Sequence, residues 1–125
     1  MDKVQLTSFA EIIESVPVLH VAGEIDIFTA PDFKDAIADI AVQGYTHIVI
    51  DMQHVAFMDS SGFGTLLSAS KPLRPVGGSL SMVNCNDSIT RMLNITRLST
   101  IIPIYATVAE AIEAAHSLSE QPVPA

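Results

Sequence analysis

Alternating strand and helix patterns place this chain in the α/β class. The expectation is a single domain with a mostly parallel central sheet of four to five strands, an antiparallel N-terminal strand and about four helices. Three observations carry it. A length of 125 residues is one domain's worth. The composition is 49% apolar and only 16% charged, enough to build a core, and its Ala, Val, Ile and Leu suit a sheet buried on both faces. Short apolar runs alternate with stripes at helical spacing, and repeated strand–helix units mean parallel strands joined by crossovers.

The elements follow in order. Val4 to Ile13 holds a strand pairing antiparallel with the next one, its register unspecified. Val18-Leu19-His20-Val21-Ala22 reads as a strand ending at Gly23. Thr29-Ala30-Pro31-Asp32 reads as a helix start with Thr29 as N-cap and Pro31 in the first turn. Phe33, Ile37, Ile40 and Ala41 then form one apolar stripe, and Gly44 stops the helix. His47-Ile48-Val49-Ile50 is a continuous apolar run of the kind a central strand requires. A second helix carries Phe63, Leu66 and Leu67 and ends before Pro72; Pro72, Pro75, Gly77 and Gly78 mark a turn-rich loop. Ser79–Val83 is a strand, and Asn86 or Asp87 caps a third helix with Ile89, Met92 and Leu93 on one face. Ile101–Tyr105 is a strand that Pro103 confines to a sheet edge. Thr107-Val108-Ala109-Glu110 is a capping-box pattern opening a last helix striped by Val108, Ala111, Ile112 and Ala115. Residues 1–118 are expected to form the domain, and 119–125 a disordered tail.

The bulk numbers exclude several roles. Six basic against fourteen acidic residues give a net charge of −8, which argues against nucleic acid or an anionic membrane surface as the main partner. Cys85 is the single cysteine, so no intrachain disulfide is possible and a reducing compartment fits. No stretch approaches the roughly 20 apolar residues that span a bilayer. Met1-Asp2-Lys3-Val4 lacks the layout of a signal peptide, so a cytoplasmic location is expected. No Cys or His pair has ligand spacing and no Gly-x-x-x-x-Gly-Lys loop is present, so neither metal nor cofactor is expected.

The most informative segment is Met58-Asp59-Ser60-Ser61-Gly62-Phe63-Gly64. A short loop after a strand delivers Ser60 to a helix start, where free amides would receive a phosphate. The plainer reading is that Asp59-Ser60-Ser61-Gly62 simply caps the helix. Gly62 and Gly64 strain that reading, because each costs about 1 kcal/mol against Ala inside a helix. They suggest that another backbone or a partner protein approaches Ser60. A hydrolase nucleophile is disfavoured, since the elbow motif needs glycine where Met58 stands, and His20, His47, His54 and His116 lack a triad context. His20 and His47 read as structural strand histidines. Gly23-Glu24-Ile25-Asp26 is a second constellation, at the carboxyl edge of the strands where α/β ligand sites cluster. There Asp26 and Asp59 would flank Ser60; alternatively, Glu24 and Asp26 are solvated turn residues ahead of a helix.

With these residues on the page, the chain resembles the anti-sigma factor antagonists of the STAS domain family, over about Val16 to Leu118. The most specific segments are Gly23-Glu24-Ile25-Asp26 with Thr29-Ala30-Pro31, and Phe57 through Gly64. Asp51, Gly77-Gly78-Ser79-Leu80 and Ala109-Glu110-Ala111-Ile112 also match. The resemblance implies a non-enzymatic switch. The serine after the aspartate, here Ser60, is phosphorylated by a serine kinase that is also an anti-sigma factor. The unmodified protein binds that partner and frees a sigma factor; a metal-dependent serine phosphatase reverses the modification. Asp26, Asp59, Ser61, Gly62, Phe63, Gly64, Glu24 and Thr29 are then the partner-binding residues, and the chain is a monomer or weak dimer. A STAS module serving a transporter or a stress-sensing complex is the alternative. Arg97 stands where members often carry glycine, and Phe63 where leucine is commoner.

Overall fold

A computed structural model of the chain describes residues 6–120. Among them, five strands form one sheet: β1 (Thr7–Ile13), β2 (Val16–Ile25), β3 (His47–Met58), β4 (Ser79–Val83) and β5 (Ile104–Tyr105). They lie in the order β1-β2-β3-β4-β5, with β1 antiparallel to β2 and every other pair parallel. Four α-helices accompany them: α1 (Ala30–Ala41), α2 (Ser60–Ser70), α3 (Asp87–Ile95) and α4 (Val108–Ser119). The α/β expectation therefore holds, including the antiparallel first strand; Val4 and Gln5 of that expectation lie outside the described residues.

Alternation along the strands sorts the core into two layers. Leu19, Val21, Ile48, Ile50, Met52, Leu80 and Met82 face one way, where Phe33, Ile37 and Ile40 of α1, Phe63 and Leu66 of α2, and Ile89 and Leu93 of α3 pack on them. Val18, Val49 and Val83 face the other way and meet Ala111, Ile112 and Ala115 of α4. The central strands are thus apolar on both faces, as a covered parallel sheet demands.

Several boundaries depart from the sequence expectation. β2 does not end at Gly23. It runs to Ile25, and the pairing with β3 slips between His20 and Ala22 and again between Gly23 and Glu24. Gly23 has φ 123°, a conformation that costs glycine nothing, so it bends the strand instead of stopping it. β3 likewise continues past Ile50 to Met58, eight residues longer than the apolar run indicates. Gln53, His54, Ala56 and Phe57 are exposed there, because no strand beyond β2 flanks this end.

The last strand is shorter than expected: Leu98–Thr100 is a 3₁₀ turn and only Ile104–Tyr105 pairs with β4, at the sheet edge. Ile102, at 0% exposure, anchors the preceding turn instead. On α3, Ile89 and Leu93 are buried but Met92 is exposed. Thr29 occupies the N-cap position of α1 without a side-chain cap bond. Asn86 caps α3 and Thr107 caps α4. Glu110 reaches back to the amide of Ala106, one residue before the cap, at 3.2 Å. Ser119 is the last residue of α4 and Glu120 its C-cap; residues 121–125 of the expected tail lie outside the described residues.

Candidate functional site

The carboxyl ends of β2 and β3 carry both sequence constellations. Ile25 pairs with Met58, the last residue of each strand, and the Asp59 amide donates to the Ile25 carbonyl at 3.0 Å. The loop that follows Ile25 and the turn that presents Ser60 are therefore fastened together.

Asp59 makes that turn. It is extended at φ −97° and ψ −171°, and its Oδ1 accepts from the Ser61 amide at 2.8 Å, an N-cap bond. Its carbonyl accepts from the amides of Gly62 and Phe63 at 3.0 and 3.3 Å. Ser60 is thereby the first residue of α2, and it is exposed. The expectation that free amides await a phosphate is corrected here: Asp59 already engages those of Ser61, Gly62 and Phe63.

Asp26 organises the opposite side. Its Oδ1 accepts from the amides of Phe28 and Thr29 at 2.9 and 3.0 Å, closing a turn on itself. The Thr29 hydroxyl accepts from the Asp26 amide at 2.9 Å and donates to the Glu24 carbonyl at 2.7 Å. Thr29 thus braces the loop from inside, which explains why it makes no cap bond. The turn leaves Ile27 and Phe28 at 68% and 75% exposure, and Phe57 of β3, paired with Glu24, is also exposed. This apolar rim beside Glu24, Asp26 and Asp59 escaped the sequence reading. Its signal was present: two large apolar residues between Asp26 and a helix start.

The two glycines separate in role. A Cβ on Gly62 would lie 2.7 Å from Met58 Sδ and 2.8 Å from Ile25 Cγ2, so this residue is glycine for the internal packing of α2 on the strand ends. Gly64 is exposed, with open space where its Cβ would be. Of the eight residues expected at a partner surface, Thr29, Gly62 and Phe63 are buried, Asp26, Asp59 and Ser61 are half-buried, and Glu24 and Gly64 are exposed.

A second polar cluster lies farther down the same strands. Asp51, at 7% exposure, accepts from Asn84 Nδ2 at 2.9 Å and from the Gln53 amide at 3.0 Å, and its Oδ2 is 2.7 Å from His20 Nδ1. Burial alone would raise its pKa, but those hydrogen bonds and the imidazole charge outweigh burial and lower it. His20 is the satisfied structural histidine expected of a strand position. His47 is held by Ser79 Oγ at 2.9 Å, and burial lowers its pKa. Cys85 is partly buried and packs against the main core; burial and the Asp51 charge push its thiol up to about 11, which leaves it a poor nucleophile. Among the described residues, no group of three His, Cys, Asp or Glu is placed to hold a metal ion, and no helix is long and apolar enough to cross a membrane.

Comparison with known proteins agrees with this architecture. The model of the STAS domain family matches residues 9–111. The anti-sigma-B factor antagonist of Bacillus subtilis is 35% identical over 88 residues, covering 70% of this chain and 80% of that one. The crystal structure of an anti-sigma factor antagonist from Mycobacterium paratuberculosis superposes with a TM-score of 0.81 at 30% identity, covering 89% of this chain and 94% of the other. The Bacillus cell fate determinant SpoIIAA, solved in its phosphorylated form, gives a TM-score of 0.66 at 25% identity, covering 86% and 98%. Fold, site and sequence together establish that this chain belongs to the STAS domain family and is a homologue of its anti-sigma factor antagonists.

Proposed function

We propose that this protein is an anti-sigma factor antagonist switched by phosphorylation of Ser60. Unmodified, it binds an anti-sigma factor that is also a serine kinase, and a sigma factor is released. Modified, it lets that partner go, and a metal-dependent serine phosphatase resets it. One observation carries the reading: an exposed serine hydroxyl stands at the first position of a helix, on a turn fixed by Asp59 and fastened to the Asp26 loop.

The physics of the switch is local. A phosphate adds about 1.5 to 2 negative charges and a shell of acceptors. Placed next to Asp59 in the chain, and near an exposed rim of Ile27, Phe28 and Phe57, it must be desolvated when a partner docks. A loss of about 3 kcal/mol weakens a complex more than a hundredfold. No rearrangement of the fold is required, because Asp59 keeps its own cap bond. Asp26, Asp59, Glu24, Ser61 and Gly64 face the partner, whereas Thr29, Gly62 and Phe63 set the position of that surface from beneath.

Phosphopeptide mass spectrometry of the protein recovered from its native cells tests the site. Ser60→Ala should abolish the modification and Ser61→Ala should keep it. Ser60→Asp should weaken capture of the anti-sigma factor, while Ser60→Ala retains it. A label that follows Ser61, or a Ser60 that is never modified while the chain co-purifies with a transporter or stress complex, would replace this reading with the alternative STAS role.

A further inference from the structure

Glu11, His20 and Asp51 form a row across three neighbouring strands. His20 of β2 is flanked in register by Phe9 of β1 and Asp51 of β3. Its Nδ1 lies 2.7 Å from Asp51 Oδ2 and its Nε2 lies 2.8 Å from Glu11 Oε1. A neutral imidazole has one N–H, and an ionised carboxylate only accepts, so only the imidazolium satisfies both partners. The Phe9 ring stacks on His20 with centroids 4.8 Å apart, a further contact that suits a cation.

The two ends of the row are unequal. Asp51 is buried and also held by Asn84 and the Gln53 amide, whereas the Glu11 side chain is 50% exposed. On proton loss the remaining N–H stays on Nδ1, toward the buried carboxylate. The Nε2 lone pair then faces Glu11 and repels it. The other titratable groups nearby are His54 of β3, which lines a cavity of about 120 Å³ together with His20, and Cys85, whose thiol feels the Asp51 charge.

β1 pairs with β2 along its whole length, from Thr7 to Ile13, and the His20 row adds a side-chain tie to that ladder. It is an edge strand, exposed from Thr7 to Ile12, and two of its side chains, Phe9 and Glu11, hold it to β2 through the His20 ring. We propose that His20 is a proton-operated clasp: protonated, it pins β1 to the β2–β3 pair, and on losing its proton it frees Glu11 and loosens the edge of the sheet. The clasp lies about five residues, roughly 16 Å, down β2 from the Ser60 turn, so it does not rest on the phosphorylation reading. Burial opposes the charge on His20, but the hydrogen bonds and charges of Glu11 and Asp51 prevail and raise its pKa above the ordinary 6.5. A raised native value means that the contribution is complete below the ordinary pKa and fades as pH climbs through the native one.

Proton NMR of the full chain from about pH 5 to about pH 9 tests this, following the imidazole resonances and the exchange of the β1 amides corrected for intrinsic rate. His20 should titrate above about 6.5, and β1 protection relative to β3 should fall about three- to fivefold through that same midpoint. Glu11→Gln should lower the His20 midpoint and flatten the β1 response, because an amide can either donate to or accept from Nε2. A His20 midpoint at or below about 6.5, β1 protection indifferent to the titration, or an unchanged response in Glu11→Gln would each overturn the clasp. Should Glu11→Gln fold poorly, the unsubstituted chain alone decides through the first two readings.

Discussion

Gly62 and Gly64 lie two residues apart near the start of one helix and look alike in sequence, yet their surroundings differ. Beneath Gly62 lie Met58 and Ile25; above Gly64 lies open space. Gly62→Ala should therefore cost about 1–3 kcal/mol through overpacking, tempered by the flexibility of the Met58 side chain. Gly64→Ala should stabilise the isolated protein by up to about 1 kcal/mol, the ordinary gain of replacing an exposed helical glycine. Urea midpoints read both. If the space above Gly64 serves a partner, the more stable Gly64→Ala variant should bind its anti-sigma factor more weakly; equal binding would show that the space is not used. The pair of glycines was visible as an anomaly from the chain alone. Which of them serves the core was not, because that depends on Met58 and Ile25 meeting at two strand ends. The same holds for Thr29, a proper N-cap by type and position, whose hydroxyl is already committed to Glu24 and Asp26.

At the scale of elements, helix starts were the most legible feature. Asn86 and Thr107 cap their helices as their residue types require: Asn86 accepts from the Ile89 amide at 2.9 Å and Thr107 from the Glu110 amide at 3.1 Å. The end of α3 is less ordinary. Arg97 follows the C-cap Thr96 and adopts φ 62° and ψ 14°, a left-handed conformation that costs a residue with a Cβ and suits glycine. That geometry gives a physical reason for the glycine that family members often carry at this point. Arg97→Gly should raise stability by about 0.5–1 kcal/mol in urea titrations, the relief of strain exceeding the extra freedom gained by the unfolded chain. A loss of stability would mean that the Arg97 side chain holds the turn. The strands were harder to delimit. In the second half of β3, Gln53-His54 interrupts the apolar residues and no strict alternation follows, so the sequence marks its continuation weakly; it exists because β2 runs alongside it to Ile25.

At the scale of the whole molecule, the charged row across the sheet ties stability to pH from both sides. The lowered pKa of Asp51 contributes stability that is present above the ordinary carboxylate value of about 3.9 and is lost as pH falls through the native value. His20 acts in the opposite sense, so the row is complete only between the two titrations. Acid unfolding followed by circular dichroism should show urea midpoints dropping below about pH 4. Asp51→Asn should cost about 2 kcal/mol at neutral pH and flatten the acid limb, since the buried charge and its hydrogen bonds are what that limb reports. An acid limb unchanged in Asp51→Asn would place the responsible group elsewhere.

What the amino-acid order determined by itself is what short-range physics writes: the class of fold, the helices, the caps of α3 and α4, the antiparallel first strand, and the candidate switch at Ser60. Periodicity and capping act over a few residues and so survive in a bare chain. Only tertiary structure decided how far β2 and β3 run, which residues of the Ser60 turn are buried, that Asp59 already engages the amides a phosphate would have used, and that Glu11, His20 and Asp51 form one hydrogen-bonded row. Those outcomes rest on register between strands, whose paired residues such as His20 and Asp51 lie 31 apart in sequence, and register is set by packing across the whole sheet, not by any local signal.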